Sequence, residues 1–312
     1  MSLAFLFPGQ GSQAVGMGAD LAEAFGAARE VFQEVDDALG QKLFKLMREG
    51  EEADLTLTEN AQPALMAVSL AVMRTLEREF GVGVEKAAFV AGHSLGEYSA
   101  LAAAGAISLA DTARLLKLRG QAMQRAVPVG EGAMASLIGP KSDVALAEAA
   151  AQAGSAFGVC VVANDNNAGN VVISGAKAAV DAAIEKAKEL GARAIPLNVS
   201  APFHCPLMQP AADAMDAALA DARIGAPLVP VFANVDAAAI ADPGAIRASL
   251  VAQVTGMVRW RESVLAMVEA GVTQFVEFGG KVLSPMVKRI APDVDAISVV
   301  TMDDIEDLLK KV

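Results

Sequence analysis

Histidine and cysteine are almost missing from this chain: there are two of each among 312 residues. Two cysteines, Cys160 and Cys205, build no disulfide framework and fit a reducing compartment. No Cys/His cluster has the spacing of a metal site, so no bound metal is expected. Aromatic residues make up only 4%, so the core must be packed mainly from Ala, Val, Leu, Ile and Met. Basic residues are outnumbered, 25 Lys and Arg against 37 Asp and Glu, for a formal net charge of −12. That balance argues against a nucleic-acid binder and disfavours an anionic membrane surface. Long apolar runs are lacking too. The nearest, residues 100–110, is bounded by Ser99 and Asp111 and interrupted by Ser108. It falls short of the roughly 18 residues that cross a bilayer and reads as a core helix. The first residues carry no basic leader and run directly into a strand pattern, so no signal peptide is expected and a cytoplasmic location is.

What is present is a chain 54% hydrophobic and 20% charged, enough for one large or two modest domains. Its organising stretch is Gly92-His93-Ser94-Leu95-Gly96, of the form G-x-S-x-G. An apolar run, residues 87–91, leads in as a buried strand, and a helix-forming run over 97–104 leads out. Such a strand-to-helix turn strains the backbone at its apex and exposes the serine hydroxyl, with the next N–H aimed at what that oxygen attacks. The competing reading is a Gly-rich turn with a capping serine.

Along the chain, residues 3–7 read as a strand ending at Pro8. Gly9-Gln10-Gly11-Ser12-Gln13-Ala14 spells a dinucleotide fingerprint, but 20–39 stays helical and no second strand follows, so that reading fails. A glycine-rich loop at a strand end still exposes backbone N–H groups. Residues 58–79 predict a long helix. Ser108-Leu109-Ala110-Asp111 reads as a capping box, with Asp in place of Glu, opening a helix to about 127. Residues 133–138, 157–163, 171–174 and 192–197 predict strands, with a turn at 164–169 and helices at 142–153 and 176–190. That βαββαβ order is ferredoxin-like. The rest alternates strand and helix: strands at 229–234, 274–278 and 297–300, helices at 206–222, 245–253, 260–270 and 282–290. The expected fold is α/β: a discontinuous parallel-sheet core (1–127 and 199–312) with an inserted subdomain (128–198).

A serine hydroxyl needs a base within reach. His93 adjoins Ser94, and neighbouring side chains of an extended approach point to opposite faces. That leaves His204, between Pro202 and Pro206, as base; otherwise it is a satisfied core or surface residue. No carboxylate stands in an obvious motif after it, so a backbone or amide carbonyl is left to hold its Nδ1–H. Arg119 sits on the shoulder of an apolar helix face. A guanidinium there must pair or face a cleft; the alternative is a snorkelling arginine with a local carboxylate.

Phe7-Pro8-Gly9-Gln10-Gly11-Ser12-Gln13, Gln62-Pro63-Ala64, Gly92-His93-Ser94-Leu95-Gly96-Glu97, Arg119-Gly120, Val171-Val172-Ile173-Ser174-Gly175, Pro202-Phe203-His204 and Val258-Arg259-Trp260 follow in this order. With them the chain resembles the malonyl-CoA:acyl carrier protein transacylases, the acyltransferase family of fatty-acid synthesis, over essentially its whole length. The resemblance implies a hydrolase-like core with the ferredoxin-like insert. It implies Ser94 as the malonyl carrier, His204 as base and Arg119 as the grip on the malonyl carboxylate. Backbone N–H groups of Gln10 and Leu95 would form the oxyanion hole, and the carbonyl of Gln253 would hold His204. Gln62, Met123 and Phe203 would line the substrate pocket, the bulky Phe203 going with malonyl rather than methylmalonyl units. Many relatives carry a proline where this chain has Gly279-Gly280-Lys281, which touches only the local turn.

The implied partners are malonyl-CoA and acyl carrier protein, with no bound cofactor, no nucleic acid and no membrane, acting on a monomer. A serine esterase or thioesterase with the same elbow remains the alternative, and a non-catalytic carrier-binding domain a more distant one. Acyl carrier proteins are acidic, as this chain is, so docking calls for a local basic patch. Arg193, Lys281, Lys288 and Arg289 are the candidates. Lys281 and Lys288 would share a face if their segment is helical throughout.

Overall fold

The computed structural model describes residues 2–311. Its strands, in chain order, are β1 (Leu3–Phe7), β2 (Ala87–Gly92), β3 (Gly132–Ile138), β4 (Cys160–Asn167), β5 (Asn170–Ala176), β6 (Arg193–Pro196), β7 (Val231–Ala233), β8 (Ala238–Ile240), β9 (Gln274–Phe278) and β10 (Asp295–Val299). Strand β1 is apolar at every position because it is buried on both faces. Leu3, Phe5 and Phe7 pack into one hydrophobic layer, Ala4 and Leu6 into the other. This is the two-residue alternation of a strand. The first sheet runs β10-β9-β1-β2-β7-β8, parallel except for the β7–β8 edge pair. The first two parallel strands therefore end side by side, where Phe7 pairs with Gly92. Ligand sites of open α/β sheets gather at such carboxyl ends.

The second sheet is antiparallel, ordered β4-β5-β3-β6. Helices Val144–Gly154 and Lys177–Glu189 share with it a hydrophobic cluster of its own, built on Leu137, Ile173, Val180 and many alanines. Connectivity and strand order are those of a ferredoxin-like βαββαβ unit. Strand β4 also reaches the first sheet's unit: Asp165 N–H donates to Val258 O at 2.9 Å, and Val258 N–H donates to Ala163 O at 2.8 Å.

Several expectations need correction. The turn over 164–169 is mostly strand: β4 continues to Asn167, with register shifts at Val162/Asn164 and Asp165/Asn167. Asn and Asp are poor strand formers, but here tertiary partners on both sides hold them extended. The 20–39 helix is two, Ala19–Ala24 and Gly26–Leu39, broken at extended Phe25, whose ring packs edge-on against Phe80. The capping box at Ser108 is half made. Ser108 Oγ accepts from Asp111 N–H, but Asp111 Oδ2 takes the Ser108 hydroxyl rather than its backbone N–H. The helix at 282–290 begins only at Leu283, which leaves Lys281 outside it. Helices Leu43–Glu49, Glu52–Thr56 and Met302–Leu309 and strand β8 were not expected. Each is short, so few apolar positions mark its period. Among the described residues no helix is long and apolar enough to cross a membrane.

Candidate active site

Strand β2 ends at Gly92 and the next helix, Leu95–Ala103, begins two residues after His93. Ser94 stands between them at φ 53, ψ −111, outside the helical region. The glycines are required by close approach rather than by φ. A Cβ at Gly92 would run into the Gly96 carbonyl, and one at Gly96 into the Phe7 carbonyl of β1. His93 N–H donates to Phe7 O at 3.0 Å, and Ser94 N–H donates to Asn234 Oδ1 at 2.7 Å. The elbow is thus held from both sides.

Ser94 Oγ lies 2.8 Å from His204 Nε2. His204 Nδ1 lies 2.9 Å from the Gln253 backbone carbonyl, which can only accept, so Nδ1 carries the proton and Nε2 is the free base. Burial, helped by the Arg119 charge, pushes the His204 pKa down to about 3, so the imidazole is neutral at physiological pH. Its backbone is also unusual, with φ 57. His93 points elsewhere: its Nε2 is 2.9 Å from Asn166 Oδ1 on β4.

Arg119 is 1% exposed. It is brought to Ser94 by a helix crossing. Helix Leu109–Ala126 meets helix Thr58–Phe80 so tightly at Gly120 that a Cβ there would strike the Glu59 backbone. Arg119 Nη1 donates to Gln62 Oε1 at 2.8 Å, and Nη2 donates to Gln253 Oε1 at 2.9 Å and to Ser94 Oγ at 3.1 Å. Its guanidinium also lies 5.7 Å from the centre of the Tyr98 ring. No carboxylate among the described residues pairs with it, which removes the snorkelling alternative. Burial lowers its pKa, with Tyr98 and Glu97 opposing, but a guanidinium stays charged.

These groups open onto a cavity of about 320 Å³. It is lined by Gln10, Gln62, Ser94, Leu95, Arg119, Met123, Phe203 and His204, with Asn164 and Asn166 from the small sheet and Val282 and Met286 at the other wall. Among the described residues the N–H groups of Gln10 and Leu95 have no acceptor in the protein. Every residue expected at the reaction centre therefore meets in one place: Gln253 lies just behind the lining, its carbonyl on His204. An acyl transferase domain model matches residues 4–284. The chain belongs to the acyl transferase domain family.

This acyl transferase is 45% identical to the malonyl CoA-acyl carrier protein transacylase of Bacillus subtilis (strain 168), over 97% of this chain and 95% of that one. It is 54% identical to the acyl-carrier-protein S-malonyltransferase of Bartonella henselae, whose crystal structure superposes with a TM-score of 0.96 over 99% of each chain. A complex of a type II PKS acyl-carrier protein with its malonyl-transacylase holds a chain 41% identical, TM-score 0.96, with both chains fully covered.

Sequence reasoning missed Asn234 and Glu97 as parts of the acyl transferase site, and the Asn166 contact with His93. Glu97 directly follows the elbow motif and closes the stretch that carries the resemblance, so a signal existed; Asn234 is marked only by standing at a strand end. The four basic candidates, named for docking at the mouth of the site, are not among the residues lining the cavity. Lys281 pairs with Asp304 at 3.4 Å, and Lys288 Nζ donates to Pro292 O and Val294 O, closing the loop after its helix. Arg193 and Arg289 are exposed and have no ion-pair partner among the described residues.

Proposed function

We propose that the chain moves the malonyl group of malonyl-CoA to the phosphopantetheine thiol of a holo acyl carrier protein, through a malonyl ester on Ser94. One observation carries the reading above the esterase alternative: a buried cation touches the nucleophile and is held only by neutral groups. An acyl chain ending in a carboxylate completes that pair; an ordinary ester leaves it open. The names of the relatives at 45% and 54% identity support the same substrate and acceptor.

Ser94 Oγ attacks the thioester carbonyl while His204 Nε2 takes its proton. The oxyanion faces the Leu95 and Gln10 N–H groups; losing one such donor typically costs on the order of 10²–10³ in rate. The C–S bond breaks, and His204 returns the proton to the departing CoA sulfur. The carrier thiol then gives a proton to His204, attacks the Ser94 ester and restores the hydroxyl, a ping-pong sequence. Of the four basic candidates, Arg193 and Arg289 keep free guanidiniums for a carrier to meet.

Mass spectrometry of protein mixed with malonyl-CoA, then chased with holo carrier protein, tests the reading. Malonyl is expected on Ser94, discharged to the carrier and absent from Ser94→Ala. A malonyl adduct on Ser94→Ala would reject the nucleophile. Discharge to water as fast as to the carrier would favour the thioesterase.

A further inference from the structure

We propose that Glu97 is a positioning residue of the transfer reaction: through Gln253, its carboxylate holds Arg119 and His204 in their working places. The inference rests on the malonyl-transfer reading. Glu97 is 1% exposed, in the first turn of the elbow helix, and does not line the cavity. A carboxylate so buried is costly unless its hydrogen bonds are well used. Here Oε2 accepts from Asn234 N–H at 2.9 Å and from Gln253 Nε2 at 2.8 Å. No cation among the described residues touches it.

Gln253 is where the site converges. Its amide oxygen accepts from Arg119, its amide nitrogen donates to Glu97 and to Ser94 O (3.0 Å), and its backbone carbonyl holds His204. Arg119 has only donors, so the amide oxygen must face it. The amide nitrogen must then face acceptors, and a carboxylate is the strongest one available. Glu97 therefore fixes which way the amide lies. Asn234 is tied in as well: its backbone N–H is on Glu97, its side chain on Ser94 N–H and Gly92 O. One amide stands between anion and cation. A direct ion pair would cancel the Arg119 charge; the interposed amide balances it while leaving the guanidinium free to meet a second carboxylate.

Glu97 is also placed to titrate. Burial pushes its pKa up to about 7, Asp236 adds to this, and the Asn234 N–H, the Gln253 amide and the Arg119 charge oppose it. Tyr98, beside it, is pushed up by burial and stays neutral. His93 and His204 are both pushed below the usual imidazole range by burial. An acid limb near pH 7 in acylation is then the Glu97 carboxylate taking a proton, not the base losing its function.

The test is single-turnover acylation of Ser94 by malonyl-CoA and by acetyl-CoA, from about pH 5 to pH 8, in wild type and Glu97→Gln. Wild type should show a limb centred at about pH 7. In Glu97→Gln the limb should vanish, the rate at the alkaline end should fall by about 10², and the preference for malonyl over acetyl should shrink. A merely structural Glu97 would lower the melting temperature and slow both substrates equally at every pH, with the limb intact; that result overturns the proposal. A flat wild-type profile overturns it without the variant, should Glu97→Gln not fold. Wild type that forms no malonyl-Ser94 at all overturns the transfer reading and this inference together, whereas normal wild-type acylation matched by Glu97→Gln removes Glu97 alone.

Discussion

Among the described residues only Ser94, His204 and Ala237 have positive φ without being glycine. Two of the three are the proposed nucleophile and base. Each such residue stores about 1–3 kcal/mol, tolerated because its neighbours over-determine it. Asn234, Gln253 and the two glycines of the elbow do so here. Arg119 is the other residue at which stability and function pull apart. Among the described residues its Nε has no partner and no carboxylate touches its charge. Arg119→Ala should lose malonyl transfer, gain relatively on acetyl-CoA, and shift the kcat/KM ratio of the two by up to about 10⁴. Equal losses on both substrates would reduce Arg119 to a scaffold residue.

At the scale of elements, two helices carry the proposed specificity. Helix Leu109–Ala126 brings Arg119 and helix Thr58–Phe80 brings Gln62, and Gly120 lets them touch. Gly120→Ala is therefore a revealing change. Alanine is the better helix former by about 1 kcal/mol. The added methyl, however, meets the Glu59 backbone, which cannot rotate away. We expect net destabilisation of about 1–3 kcal/mol, and a fall in malonyl transfer larger than any fall in acetyl transfer. Urea denaturation and the two kcat/KM values measure both. A more stable variant would mean that the helices move apart freely.

At the scale of the molecule, strand β4 joins the small sheet to the large one. Asp165, its side chain 1% exposed, meets Arg261 at 2.9 Å, and Asn166 on the same strand meets His93. Burial raises the Asp165 pKa, against the pull of Arg261. Arg261→Ala leaves that carboxylate buried and unpaired. Breaking a fully buried pair costs about 3–5 kcal/mol; with Arg261 about a third exposed, solvent screens the pair and about 1–3 kcal/mol is expected. Chemical denaturation should show the loss, and acylation should slow as Asn164 and Asn166 shift on the cavity wall. Unchanged stability would show that the backbone bonds at Val258 suffice. The net charge of −12 has its own consequence. On the proposed transfer reading an acidic carrier meets a repulsive long-range field, and local cations are expected to guide it. Arg193→Glu with Arg289→Glu should raise KM for the carrier more than KM for malonyl-CoA. Added salt should shrink the effect, since the screening length is about 8 Å at physiological ionic strength. Unchanged carrier kinetics at low salt would place docking elsewhere.

The sequence by itself determined what local chemistry determines. Strand β1 is legible because five successive apolar residues stop at a proline, and the elbow because glycines flank a serine between a strand and a helix. Two histidines made His204 the only base to consider, and the 3.6-residue period set Arg119 on the shoulder of its helix. Only the tertiary structure decided what each of these faces. Nothing near Gln253 shows that one end of its amide meets Arg119, 134 residues away, and the other Glu97, 156 residues away. Nothing in Asn164-Asp165-Asn166-Asn167, which reads as a turn, shows that Val258, Arg261 and His93 hold it as a strand. Lys281 and Lys288 look like one helical face until the helix starts at Leu283. Turn chemistry and periodicity act over a few residues and leave their mark in the sequence. The partner of a buried amide or charge is chosen by desolvation, across whatever distance the fold has closed.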